Sequence, residues 1–456
     1  MAAPLALAAV LALQAPKSAP PWSEIVARTA PSVVSVSSRV RYAVGRDELG
    51  PFEGSGFVVD AKRGLVATNR HVAGEGIVLD LQVRFHEGTS APARRIYADP
   101  LHDFAFLQID PKSLPQGCGA LRLADRAPAV GEPMRMIGNN GGLASTVLDG
   151  SISNLAAVWE EDPGVPYLQT NVASAGGSSG SPVIDAQGAV IGMQTARDDR
   201  TSYALPVEYL RDALECLQAD RTPTRGTLGL RLRSIDRDEA IAAGGIDAEH
   251  ASASFAIVEG VVPDSPAAGR VLPGDVLLGV ERAAGGDLRA IERCVDASIG
   301  KPVTAQVARG GKVSSVALTV ADLSKDVVGR LALFAGAAFH DVVYEVRSRT
   351  DLPRQGAMVA CVAMGSAAEA AELRRDDLVL SVAGRPIADV ESLWAAVASS
   401  KEGDRLVIVA RRPSSFDSAT RTITLVVDKR WDPCQLLARS DSGWKEAPPA
   451  ARDGGR

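Results

Sequence analysis

Aromatic residues are scarce in this chain: they make up 4% of 456 residues, too few for long packed helices, and the 43 glycines point instead to many turns. An all-β or mixed protein is expected ahead of a helical bundle. Basic charge is not in excess either. The formal net charge is −6, with neither a Lys/Arg run nor basic residues interleaved with aromatics, so nucleic acid is not expected as a partner. Cysteines number five, at positions 118, 216, 294, 361 and 434, an odd count with wide spacing and no CxxC pair. They read as mostly buried thiols, neither a disulfide framework nor a metal site. HExxH and P-loop patterns are missing, and "GNNGG" lacks the strand-to-helix setting of a dinucleotide site. No metal and no organic cofactor is expected.

Long apolar runs are also few. The start, "MAAPLALAAVLALQAPKSAPP", has an apolar stretch ending near Ala15 before a Pro-rich spacer. It suits the hydrophobic region and cleavage site of a secretory signal, though without a positive n-region, and it is too short to span a bilayer comfortably. Export, with a periplasmic or similar location, is the expectation.

What is present is a globular composition, 46% apolar and 23% charged, in a chain long enough for two to four domains. After the first segment, residues 1–21, short alternating runs with turn punctuation fill residues 22–222: "SVVSVSSRV", "GSGFVVD", "FAFLQID", "SPVIDAQGAVIGMQ". Asp149-Gly150 between "STVL" and "SISNL" is a two-residue hairpin signal. Regular strands of this kind predict paired barrels or a sandwich. The segment closes on "PVEYLRDALECLQAD", apolar at helical spacing, before the breaker "RTPTRG".

An internal repeat follows. "VVPDSPAAGRVLPGDVLLGVERA" is answered by "VAMGSAAEAAELRRDDLVLSVAGRP", with Asp275 aligned to Asp377, and each copy continues into a helix and two strands. The copies occupy residues 223–322 and 323–429, and the polar, Pro-rich residues 430–456 read as a mobile tail that Trp431 and Trp444 can dock in part.

The segment "AGGSSGSPVID", Ala175 to Asp185, sits between strand-like runs and so reads as a packed turn carrying serines. A serine hydroxyl needs a general base to take its proton and donors to stabilise the oxyanion that develops. Of the five histidines, His71 ends a strand in "GLVATNRHVAGEG", where a polar turn can hold an imidazole at a barrel mouth. His86 reads as a surface turn and His102 as a solvated neighbour. Asp103, in "LHDFAFLQID", stands beside apolar residues, as an acid that orients an imidazole should. The order His71, Asp103, Ser is that of the trypsin-like double barrel. A glycine two residues before the nucleophile lets its N–H approach the oxyanion; Gly177 does this for Ser179 and Gly176 for Ser178, so composition leaves those two serines unresolved.

"TNRHVA", "HDFAFLQI" and "GGSSGSPV", with "GSGFVVD" upstream and "MIGNNGGL" between, resemble the HtrA/Deg family of serine proteases over roughly residues 24–429. The resemblance implies a mainly β fold: a trypsin-like double six-stranded β-barrel followed by two α+β PDZ domains. It implies catalytic residues His71, Asp103 and Ser179, with an oxyanion hole at Gly177, Ser178 and Ser179. This chain departs from the family in carrying Ser178 and Ser181 where Asn and Gly are usual, and Gly176 where a basic residue is frequent. By the trypsin-like pattern Ala173, Ser174, Tyr203, Ala204 and Leu205 form the specificity pocket, which has no acidic base and so favours small or medium aliphatic side chains. Leu228, Gly229 and Leu230 resemble a PDZ carboxylate-binding loop, while "RLALFAGAAFH" is a looser match in the second copy. The implied activity is ATP-independent endoproteolysis of unfolded or damaged polypeptides by a homotrimer or larger assembly whose PDZ domains bind peptide C-termini. The other class of function is a catalytically silent peptide-binding chaperone or scaffold.

Overall fold

The computed structural model describes residues 20–447 apart from 46, 48, 160–161, 247–254, 413–419, 431–433 and 441–442. The first half of residues 22–222 is a sheet in the order Ser90–Pro92, Ile77–Arg84, Val33–Tyr42, Gly50–Asp60, Leu65–Thr68, Ala105–Gln108, Arg94–Ala98. Its two outermost segments are one extended ribbon. The ribbon pairs with Ile77–Arg84 before Ala93 and with Ala105–Gln108 after it, and thereby draws the sheet's two edges together. The second half is a closed six-stranded barrel made from Asp162–Thr170, Ser202–Pro206, Val190–Arg197, Pro182–Ile184, Pro133–Asn140 and Leu143–Trp159. Asp149-Gly150 does not turn; it lies within the 17-residue strand Leu143–Trp159, paired with Arg135 and Met134. Tertiary pairing on both sides overrides the local hairpin signal there.

The fold is therefore mainly β with a trypsin-like double barrel. Helix Val207–Gln218 closes the unit by burying Val207, Tyr209, Leu210, Ala213 and Leu214 against the second barrel.

Each repeat builds its own sheet and core. The duplication extends to atomic detail. Asp275 and Asp377 are both buried and each takes a two-pronged contact from an arginine, Arg309 (2.5 and 2.6 Å) and Arg412 (2.7 and 2.7 Å) respectively. Gly229 and Gly336 both adopt positive φ, and a Cβ at either would strike Ser265 or Ser366 at 2.1 and 2.2 Å.

The tail is more ordered than its composition implies. Gln435–Ser440 and Gly443–Glu446 form a hairpin that extends the second module's sheet, and Trp444 Nε1 donates to Gly76 O at 3.2 Å. Trp431 lies outside the described residues. Among the described residues no helix is long and apolar enough to cross a membrane, and no disulfide joins the five cysteines.

Candidate active site

Strand Leu65–Thr68 ends at Asn69, and a single helical turn, Arg70–Ala73, carries His71 to the seam between the barrels. Asn69 Nδ2 reaches across that seam, donating to Asp103 O at 2.7 Å and to Thr195 Oγ1 at 3.1 Å. Asp103 grips His71 twice: its Oδ1 accepts from the His71 backbone N–H at 3.0 Å and its Oδ2 lies 2.6 Å from Nδ1. The carboxylate accepts, so Nδ1 carries a proton, and in the neutral ring Nε2 is then the nitrogen with the lone pair. Burial would raise the Asp103 pKa, but the charge and hydrogen bonds of His71, with the charge of Arg70, hold it well below the usual carboxylate range. The His71 side chain is 41% exposed.

The serine turn is held from the first barrel by Ser55. Its N–H donates to Ser179 O at 2.7 Å, its hydroxyl to Gly177 O at 2.9 Å, and it is fully buried. Gly54, one residue earlier, has no room for a Cβ: it would meet the Val72 methyls at 2.6 and 2.7 Å and Ser179 O at 3.0 Å. The backbone of Ser179 and the residue after His71 thus close on the same glycine.

Gly176 O accepts from Gly141 N–H at 2.8 Å. A trans peptide points its N–H away from its carbonyl, so the Gly177 N–H faces the opposite side, with Gly177 at φ +91°. Among the described residues neither Gly177 N–H nor Ser179 N–H donates to another backbone group. Ser178 is different. Its N–H donates to Ala175 O at 3.2 Å, and its buried hydroxyl to Asn140 Oδ1 at 2.8 Å. Both donors of Ser178 are thus engaged within the turn, the N–H by Ala175 O and the hydroxyl by Asn140. At Gly176 a Cβ would meet nothing within 4 Å, so the family's basic residue has open space there.

The expected specificity residues divide. Ser174 is buried and receives the Ser202 hydroxyl at 2.8 Å and Gln194 Nε2 at 3.2 Å, neutral partners all. Tyr203 packs on Trp159 with ring centroids 5.1 Å apart and donates to Asp198 Oδ2 at 3.1 Å. Ala173 is exposed, while Ala204 and Leu205 are fully buried in the barrel core. A cavity of about 330 Å³ beside His71 and Asp103 is walled by Thr195, Ala196, Arg197, Trp159 and Tyr167 on the second barrel and by Asp47, Arg70 and Glu75 on the first. The run "VIGMQTAR" reads as a barrel strand, and it is one; nothing in its alternation marks the end that leaves the barrel to flank the imidazole.

In the first repeat, Leu228, Leu230, Leu232, Leu288, Ile291 and Val295 line a groove of about 220 Å³ between strand Leu230–Ile235 and helix Leu288–Asp296. That strand is the outermost of its sheet, and the barrel strand Asp162–Thr170 lies against it, with Gly164 beside Leu232 O and both Gly164 and Val165 lining the same groove. The Gly229 N–H is already taken by Thr227 Oγ1 at 2.9 Å, so of the expected loop it contributes its left-handed turn rather than a donor.

The comparisons agree with this geometry. The family described as trypsin-like peptidase domain matches residues 54–193. Pro-apoptotic serine protease nma111 of Aspergillus terreus is 31% identical over 443 residues, covering 93% of this chain and 42% of that protein. The protein of that name from Aspergillus oryzae is 31% identical over 438 residues, with 92% and 42% covered. Among solved structures, the HtrA-type protease AlgW with a tripeptide aligns at TM-score 0.52 and 27% identity, covering 66% of this chain and 97% of that one. The chain belongs to the HtrA-type proteases. It spans about two fifths of the length of these fungal relatives. Relatives from fungi lend no support to a periplasmic address for this HtrA-type chain, and most of its apolar leader lies outside the described residues.

Proposed function

We propose that this chain is a serine endopeptidase in which Ser179 attacks the scissile carbonyl, His71 Nε2 takes its proton and returns it to the leaving amine, and Asp103 keeps the imidazole in that tautomer. Water then repeats the sequence to release the acyl group. The single observation that carries the reading is the 2.6 Å contact between His71 Nδ1 and Asp103 Oδ2, because it leaves Nε2 as the proton-accepting nitrogen of the neutral ring. The orientation of the 176–177 peptide supports an oxyanion hole made from Gly177 and Ser179 N–H, where each donor is worth about 3 kcal/mol of barrier.

The substrate is an unfolded polypeptide cleaved after a small or medium aliphatic residue, a reading supported by the neutral surroundings of Ser174. The groove of the first repeat is a PDZ site for a hydrophobic peptide end, supported by its apolar lining and by an outermost strand that, among the described residues, has no ladder partner on its outer side. Wild-type protein is expected to digest casein, and Ser179→Ala to do so roughly 10⁴-fold more slowly. Equal digestion by both, or none by either, would leave a silent peptide-binding scaffold.

A further inference from the structure

The second repeat differs from the first where a peptide would enter. Its slot lies between strand Ala337–Asp341 and helix Val390–Val397. Strand Arg330–Phe334 turns back through Ala335-Gly336 and pairs there, Ala332 with Phe339, Leu333 with Ala338, Phe334 with Ala337. It also packs on the helix, with Arg330 paired to Glu391. Its outer edge is in turn covered by the tail strand Gln435–Ser440. The slot is filled by the chain itself, and this module has no free strand edge to offer a peptide there.

What the module holds instead is the catalytic turn. Glu345, at the start of its helix Tyr344–Thr350, lies 2.8 Å through Oε1 from Arg70 Nη2, immediately before His71 in the sequence. Arg70 is 4% exposed, and its other nitrogens go to Glu75 at 3.0 Å and Asp99 O at 3.1 Å. Burial opposes its charge, but Glu345 first, then Glu75, Asp103 and Asp99, outweigh that and keep the guanidinium charged. Around this centre the module grips the same loops: Arg375 donates to Gly45 O at 2.8 Å and to Asp47 O, and Trp444 of the tail holds Gly76.

We infer that the second PDZ-like module is a cis clamp on the catalytic turn rather than a peptide receptor, with Glu345 as a positioning residue that acts on His71 through Arg70. The proposal rests on the peptidase reading of His71, but its test does not. Asp103 contacts the imidazole directly, Arg70 acts on Asp103, and Glu345, Glu75 and Asp99 act on Arg70, with Asp47 and Arg95 beside Glu75. Replacing Glu345 by glutamine removes one anion and leaves Arg70 less compensated, and both changes disfavour the imidazolium. The expected effect is a fall of about half a pH unit in the His71 midpoint.

The experiment is an NMR titration of the five histidines in the full chain, wild type against Glu345→Gln, with Asp351→Asn as control. Asp351 ties the same helix to Arg231 at 2.8 Å without reaching Arg70. Expected is a lower His71 midpoint in Glu345→Gln alone, with the acid limb of kcat/KM moved equally and kcat reduced about fivefold at constant KM. An unmoved midpoint in folded Glu345→Gln overturns the clamp, as does an equal shift in Asp351→Asn. Should Glu345→Gln not fold, Glu345→Asp keeps the charge one methylene further away and must still lower the midpoint; no shift there overturns the clamp as well. A shift in protein that neither cleaves peptides nor labels at Ser179 upholds the clamp while removing the peptidase.

Discussion

Arg225 Nε lies 2.7 Å from Asp99 Oδ2, with both side chains buried, four residues before Asp103. The arginine begins the first repeat and the aspartate belongs to the first barrel, so one ion pair joins that repeat to the loop that carries the candidate acid. Tyr97 also donates to Asp99 at 2.8 Å, and His102, next to Asp103, bonds Glu292 of the groove helix at 3.0 Å. His102 is thus no solvated neighbour; it is 3% exposed and serves the junction.

Breaking that pair from one side leaves a buried charge uncompensated. Arg225→Met is expected to lower stability by about 3–5 kcal/mol in chemical denaturation. Asp99 is held well below its ordinary pKa: burial alone would raise it, but Arg225 and His102 outweigh burial. Its contribution is present above the unfolded carboxylate value and is lost as pH falls below it, so the gap between wild type and variant closes in acid. A gap that stays constant to pH 2 would contradict this.

His340 gives the second pH dependence. It is buried, accepts from Gly45 N–H at 3.4 Å, and burial first, with Arg375 after it, lowers its pKa to about 4. The unfolded histidine takes up a proton near pH 6.5, so the folded state loses stability as pH falls from there toward 4, by roughly 3 kcal/mol. Asp47 in the same interface runs the other way, raised to about 6 by burial and Glu75. The measurement is therefore a difference: wild-type stability relative to His340→Gln drops over that window. A flat difference would show that the ring is already charged.

Ser55→Ala tests how the serine turn is held. It removes the hydroxyl that spans Gly177 O and Asn139 N at 2.9 and 2.8 Å while keeping the backbone bond to Ser179. The expected result is a folded protein whose kcat falls about 10–100-fold with little change in KM. An equal loss in thermal stability and none in kcat would make Ser55 a core residue only.

The two repeats differ in what a peptide can reach. A fluorescent peptide with a hydrophobic C-terminus is expected to bind at one site per chain, and Ile291→Asp in the first groove should abolish it. Two sites, or binding that survives Ile291→Asp, would mean that strand Arg330–Phe334 vacates its slot.

His71 and Asp103 were legible because each stands in a short motif whose chemistry is local. Ser178 and Ser179 were not separable by composition, since each has a glycine two residues earlier; the Ser178 hydroxyl is engaged by Asn140, 38 residues away. The filled slot was hidden for a different reason. Ala335 and Gly336 both take positive φ, as a tight hairpin turn requires, but "RLALFAGAAFH" lacks the Asn-Gly or Asp-Gly that announces one. Glu345 and Arg70 are 275 residues apart, a pairing that only the packed modules create.

The most direct test is the pH dependence of Ser179 labelling by a fluorophosphonate, followed by mass spectrometry of the peptide spanning Ala175–Asp185. The account predicts a single adduct on Ser179 whose rate rises with the deprotonation of His71 and falls by at least ~10³-fold in His71→Ala. Labelling on Ser178 or Ser181, or a rate indifferent to His71, would contradict it.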